Sequence, residues 1–266
     1  MANNIDADGD PGTAATGVSH SAVPKLRSLA RLMGLGTLYA RMLNASVRVA
    51  NPVAIANSKS IYRARQRRAM DSTVAYVEQH MADVPACGNK KELLEFAFSK
   101  ADVSNGRLIC EFGVYRAKSL NHLASLTDRQ VFGFDAFQGL PSGQSDHWKK
   151  GDFHVDGLPK VRPNVSLVNG WFDETLPDFL SQHPEPVGFV HVDSDLYSSA
   201  KILFELMEKR LKPGTVVVFD EFFNYPGWQQ GEFKALEEFL EKTALAVEFI
   251  GYNRNGEQVA LKIVEP

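Results

Sequence analysis

The stretch Val190-His191-Val192-Asp193-Ser194-Asp195-Leu196-Tyr197, read with Val216-Val217-Val218-Phe219-Asp220-Glu221, decides the fold. Each is an apolar run that stops on carboxylates. Such runs predict strands buried on both faces, as in a parallel sheet. Acids placed just past a strand lie at the carboxyl edge of the sheet, where open α/β sheets bind their ligands. Asp193 and Asp195 at one edge, with Asp220 and Glu221 at the next, are candidates to converge on one hard cation.

Outward from these runs the pattern alternates. Strands are expected over 107–112, 130–134, 165–168, 187–192 and 215–219, with helices over 116–126, 175–182, 198–211 and 232–242. A terminal hairpin over 246–251 and 257–264 turns around Asn253-Arg254-Asn255-Gly256. The prediction is an α/β, doubly wound, Rossmann-like fold: a mostly parallel seven-stranded sheet with a C-terminal antiparallel hairpin and an N-terminal helical extension. Residues 1–24 are rich in Gly, Ala, Asp and Ser and read as a disordered tail. Asp6, Asp8 and Asp10 stand where a secretory signal carries its cations. Residues 25–104 read as a basic helical extension or cap, with helices within 25–50, around 53–69, over 72–81 and over 90–100. Residues 105–266 read as the cofactor-binding domain.

The chain has 266 residues, 44% hydrophobic and 23% charged, which is globular composition. No apolar run is long enough to predict a spanning helix. Cys87 and Cys110 form no CxxC pair, so neither a zinc site nor a disulfide framework is expected, in keeping with a cytoplasmic location. The net charge of −3 hides an asymmetry: residues 25–70 hold ten Lys or Arg and no acid, while residues 71–266 hold 19 basic and 29 acidic residues. A basic arm on an acidic body points to an anionic partner or to docking on its own domain. The readings are a cap on the acceptor pocket or a homo-oligomer contact through the N-terminal helices, a peripheral membrane contact through an interfacial helix, and, least favoured, nucleic acid.

Three strand ends point to a cofactor. Gly113 follows the first strand and permits a tight turn with close ligand approach. Asp135 ends the second strand, the usual place of a ribose-hydroxyl acceptor. Trp171 follows the third, where an aromatic can flank a purine. Singly these are a turn, a helix cap and a core aromatic; together they favour an adenosine-containing cofactor.

Residues 107–251 resemble the class I S-adenosylmethionine-dependent methyltransferases, most closely the macrocin-type sugar O-methyltransferases of antibiotic biosynthesis. The matching stretches are Glu-Phe-Gly-Val-Tyr-Arg at 111–116, Gly-Phe-Asp-Ala-Phe-Gln-Gly-Leu-Pro at 133–141 and Asn-Gly-Trp-Phe-Asp-Glu-Thr-Leu-Pro at 169–177. Further matches are His-Val-Asp-Ser-Asp-Leu-Tyr-Ser-Ser at 191–199, Phe-Asp-Glu-Phe at 219–222 and Gly-Glu-Phe-Lys-Ala at 231–235. The resemblance implies that Glu111 and Gly113 contact the methionine part of S-adenosylmethionine, with Tyr115 and Ser119 nearby. It implies Asp135 on the ribose, Phe137 and Gly139 lining the pocket, and Gly170, Trp171 and Phe172 near the adenine.

The same resemblance, and a more distant one to catechol O-methyltransferases, makes Asp193, Asp220 and Glu221 the expected Mg²⁺ ligands, with Asp195 the alternative to Asp193. Asp193 is also the candidate general base toward the acceptor hydroxyl. The pair Asp220-Glu221 departs from the Asp-Asp of the resembling family. Auxiliary candidates are His191 (otherwise a buried, hydrogen-bonded strand residue), His154 in the long 139–163 loop, and Tyr197. The expected activity is Mg²⁺-dependent O-methylation of a hydroxyl on a sugar-containing natural product or glycolipid, the acceptor being a small molecule or a lipid-linked sugar. The alternatives are an RNA methyltransferase recruited by the basic arm and a non-catalytic cofactor-binding scaffold.

Overall fold

The runs that end on Asp193 and Asp220 are adjacent parallel strands, buried along their whole length. A computed structural model of the chain describes residues 59–104, 106–141 and 149–265. The expected tail, the basic segments up to residue 58 and positions 142–148 of the long loop lie outside the described residues. Residues 64–266 form one compact unit.

In chain order the elements are α1 (Ile61–His80), β1 (Ala86–Cys87), α2 (Lys90–Lys100), β2 (Leu108–Phe112), α3 (Lys118–Ala124), β3 (Val131–Asp135) and β4 (Val165–Asn169). There follow α4 (Phe172–Gln182), β5 (Val187–Val192), α5 (Tyr197–Met207), β6 (Val216–Phe219), a 3₁₀ turn at Trp228–Gln230, α6 (Glu232–Lys242), β7 (Ala246–Asn253) and β8 (Val259–Val264). The sheet order is β1-β7-β8-β6-β5-β2-β3-β4. All pairings are parallel except those of β8 with β6 and β7. The seven expected strands are present. An eighth, the two-residue β1, adds to the edge beside β7 by pairing Ala86 with Tyr252 and Cys87 with Asn253.

Strand alternation sorts the side chains onto two faces. Ile109, Phe189, Val216 and Val218 pack with Leu93, Leu94 and Ala97 of α2 and Leu120 and Leu123 of α3. Cys110, Phe112, Val190, Val192, Val217 and Phe219 pack with residues of α1, α4, α5 and α6. Helix α2 therefore belongs to the sheet's own packing, against β6, β7 and β8.

Two local expectations change. The sequence predicts separate helices ending near 69 and starting near 72, but α1 runs unbroken through both. No Gly or Pro interrupts Ala69-Met70-Asp71-Ser72, and Ser72 Oγ donates back to the Ala69 carbonyl at 2.9 Å rather than capping a new helix. Helix α4 opens at Phe172 rather than at 175, with Trp171 as its N-cap. Among the described residues no helix is long and apolar enough to cross a membrane.

The chain passes outward from β2 to β4 and then returns to β5, so the order reverses between β2 and β5. That switch point is where doubly wound sheets bind ligands. Phe134, Phe112, Val192 and Phe219 stand in one row across the four central strands. The next residues are Asp135, which ends β3, and Gly113, Asp193 and Asp220, which leave the sheet at that edge.

Candidate active site

Above this row lies a cavity of about 710 Å³. Its lining includes Gly113, Tyr115, Ser119, Asp135, Gly139, Trp171 and Phe172 from the cofactor set, and Asp193, Asp195, Asp220 and Glu221 from the acid set. Glu111, Phe137 and Gly170, also expected to meet the cofactor, are not among the residues that line it. Glu111 and Phe137 are buried in the body of the sheet and its α2/α3 face, and Gly170 is turned by its backbone, whose N–H donates to the Asp135 carbonyl at 3.0 Å.

The β2 turn is built by glycine and carboxylate together. Gly113 has φ +93°, and a Cβ there would overlap the Asp193 carbonyl oxygen. Only glycine lets the β2 and β5 edges approach this closely. Asp135 fixes the turn from the other side: its Oδ2 accepts from the backbone N–H groups of Val114 and Tyr115, both at 2.8 Å, and its Oδ1 from Phe137 N at 2.6 Å. The expected ribose acceptor is thus first a clamp on the loop, with capacity on Oδ1 for one further donor. Phe172 stands edge-on to Phe112 at 5.4 Å beneath the floor, and Tyr115 meets Phe153 of the long loop at 5.4 Å.

The acids divide by strand alternation. Glu111 and His191 are register partners on the α2/α3 face, with Glu111 Oε2 2.8 Å from His191 Nδ1 and both side chains sealed from solvent. Glu111 Oε1 accepts from Ser119 Oγ at 3.1 Å. His191 Nε2 lies 3.7 Å from Asp220 Oδ1. Burial opposes a charge on His191, but the Asp220 and Glu111 carboxylates outweigh it and raise its pKa to about 9. The bland reading of His191, a buried and hydrogen-bonded strand residue, describes its environment.

Glu221, the neighbour of Asp220, also lines the cavity. Its backbone N–H donates to Glu232 Oε2 at 3.3 Å, and Ser194 donates to Glu232 Oε1 through both N–H and Oγ at 3.3 Å. Glu232 opens α6 and is wholly buried. It ties the two acid-bearing loops together. Asp195 sits at φ +61°, a left-handed turn that places it with Asp193 and Glu221.

Among the described residues, metal-capable atoms gather in two groups that share Asp193: His191 with Asp193 and Asp220, and Asp193 with Asp195 and Glu221. Asp220 and Glu221, expected to ligate together with Asp193, fall in different groups. Only the second is all oxygen, the donor set that suits Mg²⁺. In it Glu221 Oε2 is buried without a hydrogen-bond partner, as His191 Nε2 is in the first. Burial first, then neighbouring carboxylates, raises the pKa of Asp193 to about 6 and of Asp195 to about 7, and holds Glu221 and Glu232 well above the usual range. Asp220 alone is depressed, to about 2: burial works against its charge, and His191 and Lys90 more than offset it. A buried surplus of carboxylates with an orphaned oxygen fits a bound dication.

Sequence reasoning missed two residues here. Lys90 of α2 reaches Asp193 Oδ2 at 2.8 Å and Asp220 Oδ1 at 2.6 Å. Glu232 lay within a quoted motif but had no assigned role. Asn89 with Glu92 three residues on reads as a capping box, which marks Lys90 as a first-turn residue but not as one that reaches the acids. His154, the loop candidate, is exposed and lies 3.2 Å from Asp156, away from the cavity lining. Tyr197 donates to Glu238 at 2.7 Å on the outer side of α5.

The chain is a doubly wound sheet with a ligand cavity at its switch point, walled on one side by carboxylates. Residues 110–222 match the family model described as a methyltransferase domain. A curated relative from Streptomyces olivaceus, 8-demethyl-8-(2,3-dimethoxy-alpha-L-rhamnosyl)-tetracenomycin-C 4'-O-methyltransferase, is 30% identical over 151 residues, covering 46% of this chain and 55% of the relative. The chain thus spans about half the length of the curated relative it matches. Among solved structures, the calicheamicin methyltransferase CalS11 is 21% identical with a TM-score of 0.48, over 97% of this chain and 99% of that one. The O-methyltransferase NovP is 21% identical with a TM-score of 0.46, over 66% of this chain and 78% of its own.

Proposed function

We propose that the protein is an S-adenosylmethionine-dependent O-methyltransferase that acts on a sugar hydroxyl of a small natural product, with a divalent cation, Mg²⁺ by its donor set, assisting at the acid cluster. The observation that supports this reading best is the cavity itself: the cofactor-type turn at Gly113 and the carboxylate group at Asp193 face one space. The curated relative is named for methylation of a rhamnosyl hydroxyl, which favours a sugar as the acceptor.

S-adenosylmethionine supplies a methyl group on a sulfonium. Gly113, Tyr115, Ser119 and Asp135 would hold one part of it, and Trp171 and Phe172 would give its purine an apolar wall. An acidic lip suits its cationic sulfonium and ammonium better than it would suit a phosphorylated cofactor. Asp193, Asp195 and Glu221 would hold the dication, which would acidify and orient the acceptor hydroxyl. The acceptor oxygen forms its bond to the methyl carbon as the carbon–sulfur bond breaks, the electron pair returning to sulfur. Asp195 takes the acceptor's proton.

The reading includes a cytoplasmic location. A lipid-linked acceptor, a membrane contact and an oligomer through the N-terminal helices remain proposals about residues 25–70. The acidic body weighs against RNA as substrate. The test is transfer of labelled methyl from S-adenosylmethionine to a panel of glycosylated acceptors and their aglycones. Labelling of glycosides alone supports the reading, and labelling of RNA or of aglycones alone overturns it.

A further inference from the structure

The two cation-binding groups at the sheet edge are not equivalent, because one already contains a cation. Lys90 Nζ bridges Asp193 Oδ2 at 2.8 Å and Asp220 Oδ1 at 2.6 Å. This lysine is not a mobile surface side chain that happens to fall there. It stands in the first turn of α2, whose start is fixed on both sides. Asn89 Oδ1 accepts from Glu92 N at 3.0 Å, and Glu92 returns the contact by accepting from Asn89 Nδ2 at 2.6 Å and from Gly88 N at 2.8 Å. The turn before it is tied to the terminal hairpin through Asn255 Nδ2 to Gly88 O at 2.8 Å and Arg254 N to Cys87 O at 3.1 Å. The apolar face of α2 is buried against the sheet. The ammonium is delivered to the acids by a rigid element.

We propose that Lys90 is the resident counter-ion of the acid site: it holds Asp193 and Asp220 when no dication is bound, and competes with the dication for Asp193. This rests on the metal-assisted reading above. Asp193 is the residue the two groups share, so an ammonium on its Oδ2 and a dication on the same carboxylate repel at short range in a partly buried site. Without any cation, Asp193, Asp195, Asp220, Glu221 and Glu232 would crowd like charges together. The lysine thus keeps the empty site folded and, by the same contact, sets how tightly a metal is held. As the dication enters, Lys90 gives up Asp193 and turns toward solvent.

The first experiment titrates Mg²⁺ and Mn²⁺ into the full chain by calorimetry, comparing wild type with Lys90→Met and Lys90→Arg. Removing the charge is expected to tighten metal binding about tenfold or more, with Lys90→Arg close to wild type. Affinity in Lys90→Met that is unchanged or weaker overturns the proposal and leaves the metal reading intact. Metal binding by neither protein overturns both. The second experiment needs no variant. Amine acylation of the wild-type chain, read by peptide mass spectrometry with the neighbouring exposed Lys91 as reference, is run in EDTA and in saturating Mg²⁺. Lys90 labelling that rises severalfold with Mg²⁺ supports the exchange. Labelling that stays low while calorimetry shows bound metal overturns it.

Discussion

Glu111 Oε2 and His191 Nδ1 lie 2.8 Å apart, on register-paired residues of neighbouring strands, with neither side chain exposed to solvent. Removing one partner of a buried ion pair strands the other charge, at a typical cost of about 3–5 kcal/mol. Glu111→Leu or His191→Leu alone should each destabilise by that order in urea unfolding. The double variant should cost clearly less than the two single losses combined, because no charge is left unpaired. Additive losses would show that the two do not pair.

Gly113→Ala tests the meeting of the β2 and β5 edges. The positive φ and the overlap with the Asp193 carbonyl each carry a penalty, together about 3 kcal/mol. Thermal unfolding should show the loss, and methyl transfer should fail even at temperatures where the variant is folded. A variant as stable and as active as wild type would mean that the turn is looser than its geometry.

Glu232 is expected to act through the acid loops it ties. Glu232→Leu leaves the N–H groups of Ser194 and Glu221 without their acceptor, at about 1–3 kcal/mol. It should also weaken Mg²⁺ binding in calorimetry. Glu232→Gln keeps an acceptor oxygen for one of the two loops and should recover part of both. Equal loss in the two variants would mean that the charge of Glu232, rather than its hydrogen bonding, is what matters.

Burial, and then the charge of Asp220, pushes Glu257 up to about 7 from an ordinary value of 4.5. Between these values the folded protein holds a proton that the unfolded chain has lost, so this group's contribution to stability falls as pH rises through that window. Glu257→Gln removes the titration. The variant should gain on wild type from pH 4.5 to pH 7.5 by on the order of 1 kcal/mol, the solvent-facing part of the side chain screening the rest. Chemical denaturation at the two pH values reads the difference, and a constant gap would refute it.

The sheet was legible because β5 and β6 are uninterrupted apolar runs, and the edge acids were legible because they directly follow those runs. Gly113, Asp135 and Trp171 could be named because each stands at a strand end that the alternating pattern locates. Side-chain direction was harder. Asp220 and Glu221 are adjacent in sequence but fall in different metal-capable groups, and the left-handed backbone of Asp195 brings it to Glu221, a rotation that no apolar pattern encodes. Glu111 was read toward the cavity, while its alternation sends it inward to His191. Lys90 escaped notice because its partners lie 103 and 130 positions along the chain, and nothing in a charged first-turn residue tells where its ammonium ends.

The most direct test of metal-assisted methyl transfer is the rate of labelled methyl transfer from S-adenosylmethionine to a glycosylated acceptor, measured in EDTA and again after Mg²⁺ is restored. The acid cluster predicts a loss of about a hundredfold or more in chelator and recovery with the metal, with Asp195→Asn inactive in both conditions. Full turnover in EDTA, with Asp195→Asn still active, would contradict it.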